Sequence, residues 1–443
     1  MKKLLNIALC FACAMMLWAC SGGQSVDRAH QLKIYNWSDY IDEDLIDEFE
    51  EWYYEQTGEK VEIIYQVFDI NEVMLAKIER GEADYDLVCP SDYIIERMIN
   101  HGLALPLDRN YGSVPDYTAN VAPYVIEKFN EMNTPGKNAN DYSVGYMWGT
   151  VGFMYNEKYV DRSEVSSWSA ILNPKFEQKL FMKDAFRDVY SPLLIYINRE
   201  GIANGTVDPK KLMYDVSDES IAKVEELLLE AKKNVSGWEA DFGKEMMTQE
   251  KAWVNWTWSG DAMWAINEAV DVDVKLNYVI PEEGSNCFFD GWIIPKYAVN
   301  TKAANYFINY MCMSENAIRN MDVIGYVSVI GTPEVLESQI ELAQDSRYAE
   351  IVDASYFFGP EADSVLLNPI FYPDAKDMEK CVIMHDTDQD TEKLLKMWSR
   401  VKGDNLNGTI LVLLAVVIAA LVVWSVIKSR KNKSRRKGSK NRR

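Results

Sequence analysis

Residues 32–92 read LKIYNWSDYIDEDLIDEFEEWYYEQTGEKVEIIYQVFDINEVMLAKIERGEADYDLVCPSD, and the fold class follows from this stretch. Leu32–Asn36 is a short apolar run of strand character. From Asp42 to Gln56, the apolar residues Leu45, Ile46, Phe49, Trp52 and Tyr53 recur at helical spacing. Asp42, Glu43 and Asp44 suit the positive end of that helix, and Gly58 ends it. Val61–Phe68 reads as a second strand, Asn71–Arg80 as a second helix and Tyr85–Cys89 as a third strand. Pro90-Ser91-Asp92 then leads into a helix to about His101. Strands alternating with helices predict a parallel α/β sheet. In such sheets ligands lie beyond the carboxyl ends of the strands. Trp37-Ser38-Asp39-Tyr40 and Ser91-Asp92-Tyr93 both fall there.

The pattern continues downstream. Gly145–Asn156 reads as an extended connector. Lys179–Met182 is a strand running into Lys183-Asp184-Ala185-Phe186-Arg187-Asp188. Ile221–Ala231 is an amphipathic helix with Ile221, Val224, Leu227, Leu228 and Ala231 on one face. Ala252–Trp258 is an aromatic strand followed by Ser259-Gly260-Asp261 and a helix. Val274–Ile280 is another strand, and Phe288–Pro295 crosses into a helix-rich remainder. The architecture expected is α/β: two lobes joined by extended crossovers, made of residues 30–147 with 290–335 and of 148–289 with 336–405.

The ends are of a different kind. Residues 1–20, MKKLLNIALCFACAMMLWAC, place two lysines before an apolar run of about fifteen residues, too short for an ordinary spanning helix. The run ends in Leu17-Trp18-Ala19-Cys20 and resembles a bacterial lipoprotein signal, with Cys20 the residue to be acylated. At the other end Thr409–Ile427 is uncharged and long enough for a bilayer core, with Trp424 near its end. Residues 428–443 form a basic tail that the positive-inside rule places in the cytoplasm. The formal net charge of −22 averages over these parts. Ten of the 46 basic residues lie in the tail and two, Lys2 and Lys3, at the start, whereas all 68 acids lie between. Residues 21–407 therefore carry 34 basic residues and a net −34. A body so acidic argues against nucleic acid and favours cationic ligands. Cys89, Cys287, Cys312 and Cys381 show no CxxC or zinc spacing, and Cys89 and Cys312 read as small buried hydrophobes.

Catalytic chemistry has no support in the sequence. There are three histidines, and HExxH, GxSxG, Walker A and Rossmann glycine patterns are all missing. His30 and His101 are expected on exposed connectors. Aromatic residues are abundant instead, with 13 Trp, 25 Tyr and 15 Phe. Several stand beside acids at strand ends: Trp37 with Asp39, Tyr93 with Asp92, Trp258 with Asp261 and Phe288 with Asp290. A ring face plus a carboxylate suits an alkylammonium group. The ring contributes about 0.5–2 kcal/mol and the charge-assisted hydrogen bond about 1.5–3 kcal/mol. The plainer reading of each pair is a core aromatic beside a helix N-cap; the repetition of the pairing favours binding.

Six short motifs carry a resemblance. They are YNWSDY (35–40), YDLVCPSDYIIERM (85–98), DAFRDVY (184–190), WSGD (258–261), FFDGWIIP (288–295) and IGY (324–326), in this order. Together, over about residues 30–400, they resemble the periplasmic polyamine-binding proteins, the spermidine/putrescine receptors of ABC transporters. The resemblance implies a two-lobe periplasmic-binding fold of type II that closes on its ligand by hinge crossovers. To this the sequence adds a C-terminal transmembrane helix, 409–427, which is not part of the family pattern. By resemblance, Trp37, Ser38 and Tyr40 line the cleft, and Asp39 takes a position that is acidic in putrescine-type receptors. Ser91 and Tyr93 correspond to a second cleft segment, and the acidic pair after the first second-lobe strand falls on Asp184 and Asp188. Trp258 matches a stacking tryptophan, Asp261 an acid, Phe288 an aromatic position often held by Trp, Asp290 the central acid and Tyr326 an aromatic of the closing side. A polar residue that some spermidine receptors supply near the C-terminus matches poorly at Met384–His385. The implied function is capture of putrescine or spermidine outside the inner membrane and delivery to an ABC permease, with no catalysis, cofactor or metal. The implied partners are the polyamine, the permease and the membrane, reached through Cys20 and the C-terminal span. A membrane-anchored polyamine sensor and a ferric-ion receptor of related fold are the alternatives. A paired-carboxylate glycosidase is disfavoured because each acid is paired with an aromatic.

Overall fold

A computed structural model describes residues 27–403 apart from 82 and 83. The signal at 1–20 with Cys20, the 409–427 span and the basic tail lie outside the described residues. Among the described residues no helix is long and apolar enough to cross a membrane.

The amino-terminal strands follow the expected alternation. β1 (Gln31–Trp37) lies between β2 (Glu62–Phe68) and β3 (Leu87–Val88), parallel to both. The helices between and after them are α1 (Asp44–Thr57), α2 (Asn71–Arg80) and α3 (Asp92–Asn100). α1 buries Leu45, Phe49 and Tyr53, one residue per turn on one face. It ends at Gly58, whose φ of 73° lets its N–H reach back to the Tyr54 carbonyl at 2.8 Å.

Strand β4 (Ser143–Asn156) departs from the expected connector. All fourteen of its residues are buried, and all but Tyr146, at a bulge between Gly145 and Met147, are registered against neighbouring strands. Its first part runs antiparallel to β9 (Ser285–Ile293), from Ser143 opposite Ile293 to Thr150 opposite Cys287. Its second part runs antiparallel to β7 (Val254–Trp258) and β8 (Leu276–Val279). The run GYMWGTVGFMY, apolar but for Thr150, is what a strand covered on both faces requires, and it lacks the alternation by which half-buried strands are recognised.

Beyond β7 lie β5 (Leu180–Lys183) and β6 (Val235–Glu239), all three parallel. The sheet order is therefore β2-β1-β3-β9-β4-β7-β5-β6. The parallel expectation holds for the two outer groups of strands. The centre is antiparallel because β4 and β9 cross it in opposite directions. β6, with Ser236 and Gly237 inside five residues, carries too little apolar pattern to be read from sequence. β10 (Val327–Ser328) joins β4, β11 (Glu350–Val352) and β12 (Val365–Leu367) pair with each other, and β13 (Cys381–Val382) joins β9.

The remaining longer helices are α4 (Pro123–Glu131), α5 (Phe186–Ile197), α6 (Asp218–Ala231), α7 (Ser259–Val270), α8 (Thr301–Met311), α9 (Ser314–Ile324), α10 (Pro333–Gln344) and α11 (Thr391–Gly403). α6 buries Ile221, Val224, Leu228 and Ala231, as its periodicity predicts. His30 and His101 are exposed. The four cysteines of the described residues are buried and free.

Candidate functional site

The carboxyl ends of β1, β3, β5 and β7 converge on β9, which supplies the central acid. Asp290 is only 5% exposed. Its Oδ1 accepts from the Ser91 hydroxyl and its Oδ2 from the Tyr40 hydroxyl, both at 2.7 Å. Ser91 follows β3 and Tyr40 follows β1, so the two segments singled out in the sequence meet on one carboxylate. Asn71, at the start of α2, donates at 3.0 Å to both the Ser91 and the Tyr93 hydroxyls. The Tyr93 hydroxyl donates in turn to Glu72 at 3.3 Å. Burial pushes Asp290 up to about 6, against the two hydroxyl hydrogen bonds, and the nearby Asp188 adds to the rise. Burial and then Asp290 hold the Tyr40 hydroxyl well above the usual tyrosine value, so it remains a donor.

Asp188, in the first turn of α5, is another buried acid of this region. It accepts from the Asn286 amide at 2.9 Å and from the Trp258 indole. Burial also pushes it up to about 6, with Asn286, Trp258 and then Lys183 pulling the other way. Both acids thus hold a charge at neutral pH that the protein answers by direct contact with uncharged donors.

Aromatic rings link these acids. Tyr40 and Tyr326 meet edge to face at 4.9 Å, Tyr326 and Phe288 at 6.5 Å, and Phe288 and Trp258 at 6.4 Å. Trp37 packs on Phe68 at 4.5 Å. Tyr326 is reached through Gly260, at which a Cβ would collide with the tyrosine ring; this explains the glycine of WSGD. The Tyr326 hydroxyl donates to Asp261 Oδ1 at 2.7 Å. Asp261 Oδ2 is occupied by Lys183, whose Nζ lies 2.5 Å away.

Three of the sequence candidates stand apart. Ser38 is exposed and donates to Asp69 at 2.9 Å. Asp39 is exposed at a φ of 50°, a left-handed turn position that aspartate tolerates. Asp184 faces α11, accepting from the Trp398 indole at 2.8 Å and pairing with Lys402. It sits one residue past β5, and the alternation of the strand turns it away from the acids that Asp188 joins.

Sequence reasoning missed Lys183, Glu239, Asn71 and Asn286. Asn71 opens the segment after β2, so its place at a strand's carboxyl end was the available signal. Asn286 and Glu239 had none.

Two groups of parallel strands joined by two antiparallel crossing strands, with buried acids and aromatic rings at the strand ends, define an α/β binding protein rather than an enzyme. Residues 44–348 match the family described as bacterial extracellular solute-binding protein, and the chain belongs to it. The chain is 30% identical over 324 residues to the putrescine-binding periplasmic protein PotF of Escherichia coli, covering 70% of this chain and 81% of that one. It is 28% identical over 387 residues to the putrescine-binding periplasmic protein SpuD of Pseudomonas aeruginosa, covering 84% and 92%. Among solved structures it resembles the spermidine/putrescine ABC transporter substrate-binding protein PotD of Streptococcus pneumoniae. The TM-score is 0.61 at 27% identity, over 84% of this chain and 98% of that one. The fold is thus the α/β periplasmic-binding-protein fold.

Proposed function

We propose that this chain is a polyamine receptor that captures putrescine or spermidine on the periplasmic side of the inner membrane and hands it to an ABC permease. The observation that carries the reading is the pair Asp290 and Asp188. Both are buried, both contact uncharged donors, and both lie within one run of aromatic rings. Two ammonium groups on a methylene chain supply what this pair lacks. Each ammonium brings a charge to a desolvated carboxylate, and the methylenes lie against ring faces at about 0.8 kcal/mol per CH₂. A two-ended ligand on these terms reaches about −8 kcal/mol after association costs, which is micromolar affinity. The names and similarity of the relatives support the same reading.

The division into lobes at 30–147 with 290–335 and 148–289 with 336–405 belongs to the proposal. Its type II hinge is formed by β4 and β9, which cross between the two groups of strands. Trp37, Ser38, Asp39, Tyr40, Ser91 and Tyr93 then lie on the first lobe's side of the cleft with Asp290 and Tyr326, and Asp188, Trp258, Asp261 and Phe288 on the second's. Anchorage through acylated Cys20 and the 409–427 span would hold the receptor beside its permease, raising its effective concentration there. Titration calorimetry of the purified protein with putrescine, spermidine, spermine, agmatine and Fe³⁺ tests the function. Micromolar or tighter binding of a polyamine is expected, and binding of Fe³⁺ alone would overturn it.

A further inference from the structure

Lys183 is the last residue of β5 and is fully buried. Its ammonium has three N–H bonds, and three acceptors surround it: Asp261 Oδ2 at 2.5 Å, Glu239 Oε1 at 3.1 Å and the Ala240 carbonyl at 2.9 Å. The same Nζ stands 4.1 Å from the centroid of the Trp258 ring. A ring face together with a carboxylate is the chemistry that recognises an alkylammonium ligand. At Trp258 and Asp261 the chain's own lysine already takes it. Burial disfavours the charge on Lys183, yet Asp261 and then Glu239 outweigh that cost, and its pKa is raised. Lys244, paired with Asp241 at 2.8 Å, adds a second positive charge that acts on Asp261.

The buried acids Asp290 and Asp188 differ from Asp261. Asp290 is held by Ser91 and Tyr40, and Asp188 by Asn286 and Trp258, all uncharged donors. Asp290 and Asp188 are thus held by neutral side chains and Asp261 is already neutralised by a cation, while the neighbouring Asp92 is engaged by the backbone N–H groups of Tyr93 and Phe289 and burial holds its carboxyl well above the usual range. Resting on the polyamine reading above, we propose that Lys183 is a specificity-determining residue that occupies the third ammonium position, so that the ligand is an α,ω-diamine and not a triamine. A triamine's extra ammonium must displace a saturated, buried lysine or be desolvated beside a like charge, and both penalise the longer ligand.

The test is titration calorimetry of the full-length protein with putrescine and spermidine. The wild type is expected to bind putrescine at least tenfold more tightly than spermidine. Lys183→Met frees Asp261 and the Trp258 face, and the preference for putrescine should fall at least tenfold. This variant leaves two buried acids without their cation and could misfold, so Lys183→Met combined with Glu239→Gln is the second variant. It leaves the Tyr326 hydroxyl as the direct partner of Asp261, as Tyr40 and Ser91 are of Asp290, and the same loss of preference is expected. Equal binding of the two amines by the wild type, or an unchanged preference in a folded variant, would overturn the role of Lys183 while leaving the polyamine receptor standing. A wild type that binds neither amine removes the polyamine reading and the inference with it.

Discussion

Asp290 and Asp261 are each 5% exposed, and each accepts a tyrosine hydroxyl at 2.7 Å, from Tyr40 and Tyr326 respectively. Their burial is equal, so what separates them is the other oxygen. On Asp290 it meets the Ser91 hydroxyl; on Asp261 it meets the Lys183 ammonium. One acid keeps a charge that only neutral groups touch, and the other has spent it inside the protein. A buried carboxylate is therefore a ligand site only to the extent that the fold withholds a counter-charge from it. Burial alone would rank the two alike.

The comparison can be broken most severely by removing both neutrally held acids. Asp188→Asn with Asp290→Asn should weaken putrescine binding about a hundredfold or more, since each charge-assisted hydrogen bond contributes about 1.5–3 kcal/mol. Calorimetry reads this directly, and a loss under tenfold would place the ligand elsewhere. Next, Asp290→Asn alone should raise the Kd at least tenfold, and Asp261→Asn by less. Equal losses from the two substitutions would erase the distinction between the two acids.

Acidity supplies a comparable test. Asp188 and Asp290 are both raised to about 6, above the unfolded value of about 3.9. Each contributes stability to the free fold that is fully present below about 3.9 and lost as the pH rises through about 6. At pH 7 the two charges weaken the free protein, and on the proposed reading a polyamine's ammonium groups would answer them. The Kd for putrescine should rise at least tenfold from pH 7 to pH 5, and the ligand-induced increase in Tm should shrink over the same interval. A flat profile would show that neither acid titrates in the free cleft. The smallest effect is expected from Trp258→Ala, which removes the indole that donates to Asp188 and should weaken diamine and triamine alike by several-fold, because both would place an ammonium at Asp188. Unequal losses would mean that the ring reads more than one ammonium position.

Much of this was legible in the order of residues. The helix after β1 announced itself through Leu45, Phe49 and Tyr53, and the first three strands through their apolar runs. Asp290, Ser91, Tyr40, Trp258 and Asp261 were marked as strand-end residues beside aromatics, and the structure gathers them into one region. The rest depended on long-range pairing. β4 looked like a connector because a strand buried on both faces has no alternation to show. Asp184 looked equivalent to Asp188, but the first faces α11 and the second faces Asn286. Lys183 is the clearest case. A lysine at a strand end reads as exposed until Glu239 and Asp261, 56 and 78 residues downstream, are folded against it.

The continuous burial of β4 has a mechanical consequence. One fourteen-residue strand is hydrogen-bonded to β9 along its first part and to β7 and β8 along its second. The β7-β5-β6 group cannot melt without stripping backbone partners from β4, and the β2-β1-β3 group cannot without stripping them from β9, the strand β4 is paired to; the N–H and C=O groups so exposed would be left unpaired in an apolar interior. The two halves of the sheet should therefore denature together, as one cooperative unit with a single calorimetric transition, despite the length of the chain.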